Sequence, residues 1–164
     1  MRRIRVFPVC LPIFFFLVVA RPAVSQAVYF GIGAGPTFIP NQPSGSKATY
    51  GGVSGFLGLE WPSPIGFRLQ GTETYGFFWL DAELTYRLAS RTSTVVPYGF
   101  AGAGLRIDLS ESDAIVTGGV GLRAKLARPL SVFGDGRVHY AFSPTSPRTV
   151  LLLTFGITVE PRLL

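Results

Sequence analysis

With 164 residues, the chain is long enough for one domain. Its 15 basic and 9 acidic residues give a net charge of +6, and its single cysteine excludes a disulfide framework. Hydrophobic residues make up 48% and charged residues only 15%, far from the Lys- and Glu-covered surface of an ordinary soluble domain.

The first 27 residues read as an export signal. Arg2, Arg3 and Arg5 form a positive start, Val6 to Ala20 runs apolar, and Ser25-Gln26-Ala27 offers small residues at signal-peptidase spacing. Cleavage is expected before Val28, with the bond before Gln26 as the alternative site. The apolar run, about 15 residues, is shorter than the roughly 20 that a spanning helix needs, and it contains Pro8 and Pro12. Cys10 precedes the apolar core, which argues against a lipoprotein. Four basic residues and the cysteine leave with this segment, so 11 basic residues remain against 9 acidic. The basic pI is largely a targeting signal, and nucleic-acid binding loses its motivation.

From Val28 onward no stretch keeps apolar residues at helical spacing, whereas period two recurs throughout. In the first predicted strand Val28, Phe30, Ile32, Ala34 and Phe38 oppose Tyr29, Gly31, Gly33, Gly35 and Thr37. The second sets Val53, Leu57, Leu59 and Trp61 against Gly52, Ser54, Gly58 and Glu60. In the third, Ile65, Phe67 and Leu69 oppose Gly66, Arg68 and Gln70.

The fourth predicted strand, Phe77 to Leu88, is the clearest. Phe78, Leu80, Ala82, Leu84, Tyr86 and Leu88 share one face, opposite Phe77, Trp79, Asp81, Glu83, Thr85 and Arg87. The fifth, Tyr98 to Asp108, places Ala101, Ala103, Leu105 and Ile107 against Gly102, Gly104, Arg106 and Asp108. The sixth opposes Val116, Val120, Leu122, Ala124 and Leu126 to Thr117, Gly119, Gly121, Arg123 and Lys125. The seventh opposes Val132, Val138, Tyr140 and Phe142 to Ser131, Asp135, Arg137 and His139. The eighth opposes Leu151, Leu153, Phe155, Ile157 and Val159 to Thr154, Gly156 and Thr158.

Pro62-Ser63-Pro64, Tyr75-Gly76 and Ala127-Arg128-Pro129 read as tight turns. Ile39 to Thr49, Asp108 to Asp113 and Ser143 to Arg148 read as longer loops, and Ala89 to Thr94 is generous for a short turn.

Alternation alone fits a soluble sandwich or lipocalin-like barrel as well as a membrane barrel. Three features favour the membrane. The polar face carries Glu60, Asp81, Glu83, Asp108 and Asp135 against Arg68, Arg87, Arg106, Arg123, Lys125 and Arg137, a mutually neutralising set suited to an interior. The strands are about ten residues long, matching the 9–11 that cross the hydrocarbon when tilted. Phe38, Trp61, Tyr86, Tyr140 and Phe142 sit near apolar-face ends, where an interfacial girdle lies. The expectation is an all-β chain: an eight-stranded antiparallel up-and-down transmembrane β-barrel over residues 28–164, with a side-chain-filled lumen and both termini periplasmic.

Three segments in succession resemble the small OmpA/OmpX-type outer-membrane β-barrel domains: Tyr29-Phe30-Gly31-Ile32-Gly33-Ala34-Gly35, Pro97 to Gly104, and Thr154-Phe155-Gly156-Ile157-Thr158-Val159. The resemblance runs from Val28 to about Glu160. It implies residence in the bacterial outer membrane, contact with outer-membrane lipid and lipopolysaccharide, and insertion by the barrel-assembly machinery. The last strand departs from the family, with Val159 and Pro161 where aromatics are usual. No peptidoglycan-binding domain follows, so wall anchoring is not implied. A monomer is expected.

Motifs that suggest chemistry have simpler structural explanations. The glycine runs at 31–35 and 99–104 lack the following helix that nucleotide binding needs. Asp81 and Glu83 share a face as glycosidase carboxylates do, but Arg87 shares it too, and small barrels are normally filled by side chains. His139 is the only histidine. Asp135 lies four residues from it along the strand, roughly 13 Å and beyond hydrogen-bond reach. A lipid A deacylase needs a His/Ser/Glu site facing lipid, whereas His139 is expected in the lumen. No catalytic, cofactor-binding or metal residue is assigned. The expected function is non-enzymatic, structural or surface-interacting; the alternative is an outer-membrane enzyme acting on lipid, or a narrow pore.

Overall fold

The structure, a computed structural model, describes residues 27–40, 48–74, 76–108, 112–142 and 149–161. The expected signal segment lies outside these residues apart from Ala27, as do the centres of the three longer loops. Every regular element among the described residues is a strand: β1 (Ala27–Ile39), β2 (Ala48–Glu60), β3 (Ile65–Thr74), β4 (Phe77–Arg87), β5 (Val95–Ile107), β6 (Ser112–Ala127), β7 (Leu130–Ala141) and β8 (Thr149–Val159). Each pairs antiparallel with its neighbours, and β8 returns to β1, so the sheet closes without an edge.

Register follows from face. In β4, buried and exposed positions alternate from Trp79 to Leu88, with Asp81, Glu83, Thr85 and Arg87 inside and Leu80, Ala82, Leu84, Tyr86 and Leu88 outside. A slip of one residue would turn every carboxylate outward, so the register is strongly specified. The same parity holds around the barrel, and every face assigned from the sequence alternation is observed. Strands run longer than the alternation suggests: β3 continues through Gly71 to Thr74, β5 starts at Val95, and β6 starts at Ser112. Gly71, Thr72, Thr74 and Ser112 carry little hydrophobic signal, Val95 and Val96 are apolar on both faces and so show no alternation, and pairing with the neighbouring strand decides.

Turns separate into two sets. At one end lie β2–β3, β4–β5, β6–β7 and both chain ends; at the other lie the remaining four connections. Gly76 takes φ 78° in the very short β3–β4 link, a left-handed conformation open to glycine at no steric cost. A bulge between Lys125 and Ala127 precedes the tight β6–β7 turn. Two prolines sit inside strands without costing the ladder much. Pro36 falls where the β1–β8 pairing skips from Ala34 to Thr37, and Pro97 lies just beyond the end of the β4 register at Tyr98.

Candidate functional site

Among the described residues, charged groups converge in the lumen, which is built in three tiers. At the loop end, Ile39, Trp79, Ile115, Ala141 and Val150 pack into an apolar plug, with Tyr50 and Phe77 against it. Arg106 stands beside this plug. Its guanidinium lies 5.2 Å from the Phe77 ring and 5.8 Å from Trp79, and it pairs with Asp113 directly opposite on β6.

The middle tier is ionic. Arg68 on β3 sits opposite Glu83 on β4, with Nε 2.6 Å from Oε2, and its Nη1 reaches Asp135 on the far wall at 2.9 Å. Arg137 completes the circuit: Nη1 lies 2.7 Å from Glu83 and 3.4 Å from Asp81, while Nη2 donates to Gln70 Oε1 at 2.6 Å. Both guanidinium groups stack on Phe100, at 4.5 and 4.7 Å from its centroid. The Tyr98 hydroxyl donates to Asp135, and Gly121 makes this possible: a Cβ there would collide with both the Tyr98 ring and the Asp135 carboxylate. His139 Nε2 lies 3.4 Å from Asp81 Oδ2, with its ring 4.7 Å from Trp79.

The third tier closes the end carrying the termini. Tyr29, Phe56 and Phe133 form an edge-to-face trio. Beneath it Glu60 holds Arg123 at 2.6 Å, with Arg87 and Arg91 each at 3.9 Å. Arg87 also donates to the carbonyls of Trp61 and Ser63 in the β2–β3 turn. Arg91, from the β4–β5 connection, reaches Glu160 at 2.5 Å, and its carbonyl accepts from Lys125 Nζ. The cavity between the trio and Arg123 measures about 20 Å³, the size of a single water.

Burying an ion without a partner is prohibitive, so balance is the test of such a lumen. Five arginines (68, 87, 106, 123 and 137) are buried with Glu60, Asp81, Glu83 and Asp135, and Asp113 supplies the fifth carboxylate. Nine of the eleven residues expected inside are fully buried there; Asp108 and Lys125 are half-buried at opposite rims. Asp113 and Arg91, both read as loop residues, are drawn into the network, and the apolar tier of Ile39, Ile115 and Val150 was not signalled by alternation.

What this arrangement can do chemically is limited. Among the described residues no group of three His, Cys, Asp or Glu side chains is placed to hold a metal. His139 points into the packed lumen rather than outward, and Ser143 lies outside the described residues. The carboxylates of the middle tier face arginines, with no open cleft beside them.

No protein-family model matches the sequence, and no curated protein matches it. Solved structures do. Neisserial surface protein A superposes with a TM-score of 0.63 at 15% identity, covering 83% of this chain and 96% of the other. The N-terminal β-barrel domain of Pseudomonas aeruginosa OprF gives 0.62 at 11% identity over 82% and 97%. Ail, the attachment invasion locus protein of Yersinia pestis, gives 0.59 at 13% over 84% and 100%. The fold is that of the small outer-membrane β-barrels. The OmpA/OmpX-like resemblance read from the glycine-aromatic segments therefore holds at the level of fold.

Proposed function

We propose that this protein is a non-enzymatic barrel of the bacterial outer membrane, with a structural or surface-interaction role and both termini in the periplasm. The observation that carries this reading is the inversion of its two faces. Ionic groups fill the interior, while Phe30, Ile32, Leu84, Val120, Leu122 and Phe155 stand exposed on the outside. An apolar belt of that extent on a folded chain calls for a non-aqueous surrounding. Aromatics flank the belt at both ends: Phe38, Tyr140 and Phe142 near the loop end, Tyr86 and Trp61 near the termini.

The partners that follow are outer-membrane lipid and lipopolysaccharide along the belt, and the barrel-assembly machinery during insertion. The attachment role named for Ail supports a surface-interaction function for this chain. The three-tier lumen speaks against the narrow-pore alternative, since each tier alone obstructs the axis.

Two measurements test the reading. Protein from the membrane fraction is expected to migrate faster on a gel unheated than boiled, as a compact barrel resisting detergent. In planar bilayers the purified protein is expected to give no stable conductance steps of porin size. A soluble-fraction protein without heat-modifiable migration would overturn the membrane assignment, and large stable channels would overturn the closed lumen.

A further inference from the structure

The arginines and carboxylates of the lumen balance in number but not in place. The loop-end tier sets Arg106 against Asp113, and the middle tier sets Arg68 and Arg137 against Asp81, Glu83 and Asp135. The tier at the terminus end buries two arginines, Arg87 and Arg123, with one carboxylate, Glu60. Arg91 beside them is matched by Glu160 at 2.5 Å. Asp81, the surplus carboxylate of the middle tier, is held there by Arg137 and His139, four residues along β4 from Thr85 and about 13 Å away. Among the described residues, one buried positive charge at the terminus end therefore has no carboxylate of its own. Such a charge is costly in a lumen withdrawn from water.

The same tier contains the cavity of about 20 Å³, and Arg68, Arg87 and Arg123 all line it, with Glu60 as the one acidic residue in its wall. Each arginine keeps a donor nitrogen in reserve. Arg68 commits Nε to Glu83 and Nη1 to Asp135, Arg87 commits Nη2 to the Trp61 and Ser63 carbonyls, and Arg123 commits Nη2 to Glu60. Among the described residues nothing accepts a hydrogen bond from Arg68 Nη2, Arg87 Nε or Arg123 Nε. All three side chains are more than nine-tenths buried. Glu60 Oε2 approaches Arg87 Nε only to 3.9 Å, beyond hydrogen-bond reach.

We propose that this cavity is a binding site for one monovalent halide ion, chloride, held by the guanidinium groups of Arg68, Arg87 and Arg123. Convergent charged donors and an unmatched positive charge are what a small buried anion requires. Size narrows the class. A chloride ion is only slightly larger than a water molecule, whereas phosphate and sulfate carry four oxygens around a central atom and do not fit about 20 Å³. A water could accept from the reserve donors, but it would leave the charge unmatched. Glu60 opposes an anion from the same wall, and its Oε2 has no hydrogen-bond partner among the described residues. Its Oε1 is engaged by Arg123 at 2.6 Å, and three guanidinium groups outweigh one carboxylate. The site is enclosed by the strands, so it does not depend on what surrounds the outer face.

The test uses the protein purified from cell envelopes, unfolded in urea and refolded into detergent with sodium gluconate, chloride or bromide as the only added salt. Gluconate is monovalent but too large for the cavity. Crystals grown from the bromide sample are expected to show one anomalous scattering peak at the bromine edge, among the three guanidinium groups. Urea unfolding at constant ionic strength, with chloride replacing gluconate, reads the energetic link. One bound ion should raise the folding equilibrium constant about tenfold for each tenfold rise in chloride above its dissociation constant. Arg87→Gln leaves Glu60 and Arg123 balanced and should abolish this response. Thr158→Asp places a tethered carboxylate in the cavity wall while keeping every arginine. It should be more stable than the natural protein in gluconate and indifferent to chloride, so it carries the test if Arg87→Gln does not refold. Equal stability of the natural protein in chloride and gluconate overturns the proposal, as does a chloride response unchanged in Thr158→Asp. A bromine peak without any effect on stability marks an adventitious ion only and overturns it too. Water density in the cavity with no bromine signal replaces the halide by a water. None of these outcomes touches the membrane reading, which rests on the outer face.

Discussion

Arg68 and Glu83 face each other across β3 and β4, 2.6 Å apart, and both are withdrawn from solvent. The pair is not isolated. Arg68 is shared with Asp135 and Glu83 is shared with Arg137, so four side chains from β3, β4 and β7 form one closed circuit through the barrel. It ties walls that make no backbone contact with one another, a long-range constraint that the neighbour-to-neighbour ladder cannot supply.

Removing one member should therefore cost more than one contact. Glu83→Ala leaves two guanidinium groups with reduced compensation, and a loss of about 3–5 kcal/mol is expected, the range for breaking one side of a buried pair. Urea unfolding of the barrel from lipid vesicles measures it. Replacing both Arg68 and Glu83 by Met should cost less than the sum of the two single changes, with a coupling of about 0.5–3 kcal/mol. Strict additivity would show that the circuit is not energetically connected.

Gly121 offers a second, steric test. A side chain there meets Tyr98 and Asp135 inside the lumen, so Gly121→Val should overpack the middle tier and cost about 1–3 kcal/mol. Gly118, three residues away and facing outward, has only the Phe100 carbonyl at 3.6 Å from a built Cβ. Gly118→Ala should stay within about 0.5 kcal/mol. Heat-modifiable gel migration across a temperature series compares the two, and equal midpoints would contradict the packed lumen.

Most of the fold was legible because an apolar outward face and a charged interior write a strict period of two. The outcome in β4 shows this: Asp81 and Glu83 alternate with Ala82 and Leu84 in sequence as they do in space. The signal fails where the interior is itself apolar. In Ala114-Ile115-Val116 and Val150-Leu151-Leu152-Leu153 both faces are hydrophobic, so Ile115, Val150 and Leu152 gave no hint that they point inward. Arg91 was illegible for another reason. It belongs to a connection without periodicity, and only the path of β4–β5 under the barrel brings it to Glu60 and Glu160.

Processing is open to direct measurement. The protein isolated from cell envelopes is expected to begin at Val28, or at Gln26 if the upstream bond is cut. N-terminal sequencing distinguishes the two, and recovery of Met1 through Ala27 intact would overturn the export argument. Either start preserves the β1 pairing from Val28 opposite Leu59 onward.

The assignment of faces meets its sharpest test at adjacent residues. Leu84 is 62% exposed and Glu83 is 0% exposed, so one faces outward, where the proposed function puts the bilayer, and its neighbour faces the lumen. Arginine at Leu84 should cost about 2–4 kcal/mol if the site lies near the midplane, and less toward an interface. A nitroxide at position 84 should collide freely with oxygen dissolved in the bilayer and be shielded from a water-soluble nickel chelate. One at 83 should be strongly immobilised and poorly reached by oxygen, since it enters the Arg68–Arg137 circuit. The contrast should repeat at Leu122 and Arg123, on the opposite side of β5, where exposures are 55% and 6%. Should labels at 84 and 122 prove dry and immobile while 83 and 123 meet bulk water, the barrel would be a soluble one with its core on the other face.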